Sequence, residues 1–292
     1  MSIPAAAAAL TIRRATPADA AVCGRICYEA FGKIADQQNF PRELPAPEIG
    51  PILVSMLFSH PKFFCVVAER GGRIIGSNCL DERNPVSGIG PITVDPAEQN
   101  SGAGRALMQA LIDRSNQQGF LAMRLVQAAY HMRSLSLYTK LGFVERETLA
   151  RMQGPALAAR TSGYTFRPAS SADLASCNSL CVRVHGHRRG GELADAISQG
   201  RATVAEHGGE IVAYTTGFNY MGHTVAESNR DLIALLSSAE SFDGPGFQVP
   251  VRNYELFRWC LDHGFRVLQL NTLMTVGPYN EPQGAWLPSI LY

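Results

Sequence analysis

Residues Ile92 to Ile112 read "ITVDPAEQNSGAGRALMQALI". A β-branched run, Ile92-Thr93-Val94, meets an acid and a proline, then a loop with glycines at 102 and 104, then an apolar-periodic segment that predicts a helix. A loop feeding a helix start presents backbone N–H groups that have no intrahelical acceptor, and the helix dipole favours negative charge there. Gly102 and Gly104 put no side chain in the way of an approaching anion. Gln99 and Ser101 can add hydrogen bonds, and Arg105, in the first turn, can stand beside a phosphate. The stretch reads as a seat for a pyrophosphate.

Two other phosphate loops are excluded. The chain has no G-x-x-x-x-G-K-[ST], and Gly102-Ala103-Gly104 is followed by Arg105, Ala106 and Leu107, so G-x-G-x-x-G is absent too. Instead "QNSGAG", Gln99 to Gly104, resembles the acetyl-CoA signature [RQ]-x-x-G-x-[GA] of the GCN5-related N-acetyltransferase (GNAT) superfamily. Further on, "HMRSLSLYTKLGF", His131 to Phe143, resembles that family's N-x-x-A-x-x-L-Y-x-x-x-G-F, with histidine where asparagine is usual.

The resemblance implies that backbone groups of Ile92, Thr93 and Val94 pair with the pantetheine arm like an added strand. It implies that Gln99, Asn100, Ser101, Gly102, Ala103, Gly104 and Arg105 hold the pyrophosphate. Tyr138 matches the family's general acid, which protonates the departing thiolate. His131 is expected to replace the asparagine that contacts pantetheine; titration near neutrality with a part in proton transfer, or capping of the helix, are its other readings. For a base the sequence offers Asp81, Glu82 and Glu98, each more simply read as a solvated surface carboxylate.

On either side of these motifs, "KFFCVVAER", "GGRIIGSNCLDE" and "GIGPITVD" predict three strands, and "LAMRLVQAA" and "FVERETLARMQ" flank the second motif as strands. The start of the chain recurs: "TIRRATPADAAVCGRIC" (Thr11 to Cys27) matches "TFRPASSADLASCNSLC" (Thr165 to Cys181) without gaps, at an offset of 154 (165 − 11, and again 181 − 27). His131 stands eleven residues before Gly142 (142 − 131), as Asn253 does before Gly264 (264 − 253), and both glycines precede phenylalanine. The fold class expected is therefore α/β, with two tandem GNAT-like domains, each a mixed, largely antiparallel sheet flanked by helices. The expected boundaries are 1–153, a linker at 154–163, and 164–292. Around "YMGHTVAESNRDL" the second copy lacks the glycine signature, so it is read as degenerate.

Two clusters carry competing readings. Cys23/Cys27 and Cys177/Cys181, each four apart, fit buried packing better than a metal or redox pair, since no histidine or third cysteine stands nearby. "VHGHRRGGE", Val184 to Glu192, gathers His185, His187, Arg188 and Arg189; the resemblance places it where the acceptor pocket is shaped, and a solvated basic loop is the simpler reading. The tail "YNEPQGAWLPSILY" reads as a docked closing strand.

Composition bounds the rest. At 292 residues, with 46% hydrophobic and 17% charged residues and a net charge of +1, the chain carries no nucleic-acid footprint. Seven scattered cysteines without a CxxC fit a reducing, cytoplasmic setting, and "MSIPAAAAAL" has no basic region that would make it an export signal. No apolar run reaches the roughly 18 residues of a membrane helix. The expectation is acetyl-CoA-dependent N-acetylation of a small-molecule primary amine by a cytoplasmic acyltransferase, with acetyl-CoA as cosubstrate, no metal, no nucleic acid and no membrane. Apolar strand edges leave a homodimer open. The alternatives are a non-catalytic acyl-CoA sensor and acetylation of a protein or peptide amine.

Overall fold

The computed structural model describes residues 8–242 and 244–292, so residues 1–7, most of the segment read as carrying no export signal, lie outside the described residues. In chain order the elements are β1 (Leu10–Arg14), α1 (Ala20–Gln37), α2 (Ile49–Ser59), β2 (Phe63–Arg70), β3 (Arg73–Asp81), β4 (Val86–Ile89), β5 (Thr93–Val94) and α3 (Ala103–Gln118). Next come β6 (Ala122–Ala128), α4 (Met132–Lys140), β7 (Val144–Gln153), β8 (Tyr164–Pro168), α5 (Leu174–His185), α6 (Gly190–Ser198), β9 (Thr203–His207) and β10 (Glu210–Thr215). The last are β11 (Thr224–Ala226), α7 (Asn229–Ser237), β12 (Phe247–Pro250), α8 (Tyr254–Asp262), β13 (Arg266–Val276) and β14 (Ala285–Leu287).

The repeat is structural as well as textual. Thr16 and Ser170 each open a 3-10 turn with a reciprocal capping box closed by Asp19 and Asp173, and α1 and α5 succeed these turns directly. Both cysteine pairs are buried in apolar surroundings, as packing requires.

The chain forms two compact units, residues 1–82 with 89–119, and 83–88 with 120–292. They do not match the expected boundary at 154–163, and strand pairing gives the reason. β13, from the second copy, bonds antiparallel to β6 on one side and to β7 on the other, and β7 also bonds β12. Strands of the two copies alternate, so residues 120–153 fold with the C-terminal part of the chain.

In the first unit β1, β2 and β3 form an antiparallel meander, Ile12 opposite Ala68 and Val67 opposite Ser77. The strand expected over "GIGPITVD" is broken, because Pro91 has no N–H and Gly90 turns at φ 136°; β5 then pairs β3, Thr93 opposite Ser77. α1 and α2 pack together where a Cβ on Gly24 would lie 2.3 Å from the Pro51 backbone. Cys23, Cys27, Val54 and Val67 form the core beneath them.

In the second unit one sheet runs β4-β6-β13-β7-β12, with β4 parallel to β6, and a second runs β14-β11-β10-β9-β8, all antiparallel. Phe242, Phe247 and Phe265 pack edge to face or tilted in its main core, with Leu235 and Leu256 beside them. The expected closing strand is β14, which pairs with β11. Among the described residues no helix is long and apolar enough to cross a membrane.

Candidate active site

In the first unit the turn into α3 begins at Asp95. Its N–H bonds Ile75 O at 2.8 Å, its Oδ1 accepts the Ala97 N–H at 2.9 Å, and its carbonyl accepts the Glu98 N–H at 2.8 Å. The chain then passes Asn100 and Gly102, both left-handed at φ 66° and 86°, and Gly102 caps α3 with no side-chain bond. Helical bonding starts with the Ala106 N–H to Gly102 O at 3.0 Å, which leaves the N–H groups of Ala103, Gly104 and Arg105 without intrahelical acceptors. A Cβ on Gly102 would meet nothing within 4 Å, so its backbone faces open space. Arg105 is exposed in the first turn. Ser101 Oγ and Thr93 Oγ1 are buried with no hydrogen-bond partner among the described residues. Bare helix N–H groups facing open space, with the partnerless Ser101 hydroxyl beside them, are what a phosphate-bearing ligand at this turn requires.

Sequence reasoning missed the two arginines that make this turn tolerant of an anion. Arg70 Nη1 meets Glu98 Oε2 at 2.6 Å, Arg73 meets Glu98 Oε1 at 2.5 Å and Asp95 Oδ2 at 2.9 Å, and Arg70 Nη2 donates to Ser101 O at 3.2 Å. The loop's two carboxylates are thereby neutralised. The available signal was "ERGGR", a hairpin that places both arginines at one end of the β2–β3 ladder.

These contacts also correct the base candidates. Glu98 is held by two arginines, and Glu82 takes a two-pronged grip from Arg114 at 2.7 and 3.0 Å. Asp81 is buried at the end of β3 opposite Phe63, so it is not a solvated carboxylate.

His131 and Tyr138 lie in the second unit. Tyr138 is 5% exposed, its ring edge-to-face with Phe143 at 6.3 Å, and burial pushes its phenol up to about 12, opposed by the neighbouring Ser134 hydroxyl. His131 precedes α4 but forms no side-chain cap. Its Nδ1 lies 2.6 Å from Ser134 Oγ, and burial, helped by Arg133, drives its pKa down to about 4. The ring is neutral at pH 7, which overturns titration near neutrality.

The second copy's counterparts are built otherwise. Ser228 caps α7 by accepting the Asp231 N–H, and Asp231, in the first turn, takes bonds from Ser228 Oγ at 2.5 Å and the Tyr164 hydroxyl at 2.7 Å. A buried carboxylate already occupies the helix start. Asn229 and Asn253 exchange amide bonds at 3.0 and 2.8 Å, tying the starts of α7 and α8 together. The residues matching His131, Ser134 and Tyr138 are Asn253, Leu256 and Cys260, the last two fully buried.

The basic loop is not solvated. His185, His187 and Arg189 are all buried, and only Arg188 is exposed. Arg189 pairs with Glu192 at 2.6 Å, His187 Nε2 lies 3.1 Å from the Tyr292 hydroxyl, and the guanidinium groups of Arg124 and Arg189 lie over the Tyr292 ring, 3.9 and 4.5 Å from its centroid. Tertiary partners, including Tyr292 from the far end of the sequence, draw this run into the interior. No group of three or more His, Cys, Asp or Glu that could hold a metal ion occurs among the described residues.

The acetyltransferase (GNAT) family model matches residues 30–143. A Pyrococcus horikoshii structure provisionally named an acetyltransferase superposes with TM-score 0.74 at 18% identity, over 98% of this chain and 95% of that one. A tandem GNAT protein from the clavulanic acid biosynthesis pathway, solved without acetyl-CoA, superposes with TM-score 0.54 at 15% identity, over 93% and 100% of the respective chains. No curated protein matches the sequence.

Proposed function

We propose, from the match of the acetyltransferase (GNAT) family model to residues 30–143, that the chain is a GNAT acetyltransferase that moves an acetyl group from acetyl-CoA to the primary amine of a small molecule. The observation that carries the reading is the turn at Gln99–Arg105: open helix N–H groups, a left-handed glycine cap and loop carboxylates neutralised by Arg70 and Arg73. Its residues bind the pyrophosphate, with Ser101 Oγ as a further donor and Thr93 Oγ1 available to the arm beyond. Acetyl-CoA supplies the activated carbonyl that the neutral amine attacks. Tyr138 is the general acid, and a phenol pushed up to about 12 is fully protonated at neutral pH, so it holds the proton that the departing thiolate takes. His131, neutral and fixed by Ser134, presents a nitrogen where the family's asparagine amide stands.

The near-neutral charge of the chain gives no preference for an acidic or a basic acceptor. The test is calorimetric titration with acetyl-CoA and CoA, counting sites, in wild type and Gly102→Glu, followed by thiol-release assays over an amine panel. Binding lost in the variant and thiol release with at least one amine support the reading. Absence of binding to wild type overturns it, and binding without release by any small amine or peptide favours a sensor.

A further inference from the structure

Among the described residues, each buried carboxylate of the second unit is already engaged. Arg167 holds Asp173 at 2.8 Å, Arg252 holds Glu147 at 2.6 Å, Arg189 holds Glu192 at 2.6 Å, and Asp231 takes the Ser228 and Tyr164 hydroxyls. Arg124, on β6 opposite Thr275, has no such partner. It is 2% exposed, its Nε makes no hydrogen bond, and no carboxylate pairs with it among the described residues. Burial, opposed by Tyr279 and aided by Arg189 and Arg146, brings its pKa down to about 9, so at pH 7 it is still a cation. The guanidinium lies 4.8 Å from the Tyr279 ring centroid and 3.9 Å from that of Tyr292. Ring faces soften the loss of water around a cation, but they give its N–H donors no oxygen acceptor. The Tyr279 hydroxyl is buried without a partner as well. Native interiors leave few polar groups unpaired, and an uncompensated charge costs more than a neutral group. Open space adjoins this pair: residues 145–148, with Val251 and Arg252, line a crevice of about 500 Å³. Arg146, from that crevice, lies over the same Tyr279 ring, 5.5 Å from its centroid. The half-buried Tyr279 thus has one arginine at the crevice and another in the interior.

We propose that Arg124 anchors a binding site for a small carboxylate, reached from this crevice past Tyr279. One unpaired cation is neutralised by one negative charge, which is what a carboxylate carries at pH 7. A phosphate monoester carries close to two and would replace one uncompensated charge by another. The edge of a guanidinium presents paired N–H donors to the two oxygens of a carboxylate, and a phenol hydroxyl is a further donor to the same group. At the crevice Arg252 cancels Glu147, and Glu145 and Arg146 carry opposite charges, so selection for an anion falls to the interior cation. The site contains no residue of the acetyl-CoA turn and does not depend on the acetyltransferase reading.

Thermal melts of the full chain at pH 7 and constant ionic strength, with sodium acetate or sodium benzoate replacing sodium chloride, test the site. At least one of the two carboxylates should raise the wild-type melting temperature saturably, while acetamide and benzamide, which lack the charge, should not. Arg124→Met should show no such rise. Tyr279→Phe, which loses a hydroxyl with no protein partner, should fold like wild type and bind the carboxylate about fivefold more weakly. In wild type the Arg124 Nε–H signal in nitrogen-15 NMR, assigned through the side chain's own carbons, should shift along the same saturation curve. No saturable rise with either carboxylate, or an equal rise in Arg124→Met, overturns the proposal. Should Arg124→Met fail to fold, an Nε–H signal that carboxylate leaves unmoved in wild type overturns it alone. Inorganic phosphate that shifts this signal at lower concentration than either carboxylate overturns the choice of ligand class.

Discussion

Arg13 grips Asp19 through two parallel bonds, Nη1 to Oδ2 at 2.8 Å and Nη2 to Oδ1 at 2.9 Å, and a third bond ties the same guanidinium to Glu69 at 2.7 Å. Arg167, Asp173 and Glu206 repeat the arrangement, with both Asp bonds at 2.8 Å. In each copy one carboxylate closes the capping box and anchors the first strand to the first helix. The Arg13 guanidinium holds the Asp19 carboxyl down at about 2, from an ordinary 3.8, and Arg167 depresses Asp173 in the same way.

A depressed carboxyl stabilises the fold above its unfolded pKa and loses that contribution as pH falls through the folded value. Asp19→Asn should therefore melt a few degrees below wild type at pH 7, reflecting about 1 kcal/mol for a lost cap. The gap should narrow between about pH 4 and pH 2, as wild-type Asp19 itself becomes protonated. Thermal melts of both proteins across that range check the prediction.

Gly102 separates backbone strain from charge. At φ 86° any side chain is strained, at a cost of about 1 kcal/mol, yet a Cβ there meets no neighbour within 4 Å. Gly102→Ala should retain CoA binding within about tenfold, whereas Gly102→Glu, which aims a carboxylate at the proposed pyrophosphate seat, should lose it. Equal loss in both would assign the effect to strain alone. Calorimetry with circular dichroism as a folding control decides.

One CoA site per chain is expected. At α7 the helix start already accommodates the Asp231 carboxylate, and β14 covers the edge of β11. A titration reaching two sites per chain would mean that the second copy is not degenerate.

Tyr138→Phe should reduce kcat by roughly 10²-fold or more while leaving acetyl-CoA affinity within a few-fold. With the phenol pushed up to about 12, no alkaline loss of rate assignable to Tyr138 is expected below about pH 11. A pH–rate profile of the wild type, compared with the variant, tests both statements.

His187 and His223 are neutral in the fold, their pKa values lowered by burial to about 3 and about 4 from 6.5. The unfolded chain binds more protons below pH 6.5, so stability present above that pH should fall as pH drops towards 4. His187→Gln, which cannot titrate, should melt lower at pH 8 but fall less steeply on acidification.

The local grammar of this chain lies in its sequence. Gly102 and Gly104 before an apolar period, the "ADAAVC"-type turn repeated 154 residues on (173 − 19), and the spacing of His131, Tyr138 and Gly142 are short-range features that backbone sterics and helix periodicity dictate by themselves. The features that depend on tertiary contacts involve partners distant in the chain. The order of β13 between β6 and β7 depends on pairing across more than a hundred residues, and no local signal specifies which edge a strand joins. The basic run at His185–Arg189 looks hydrophilic by composition, yet Glu192 and Tyr292 supply the counter-charge and the aromatic face that let it be buried. The pairing of Glu98 with Arg70 and Arg73 is of the same kind. A side chain's charge can be read from the sequence, but whether that charge is spent on the solvent, a ligand or another residue is decided by what the fold brings within about 3 Å of it.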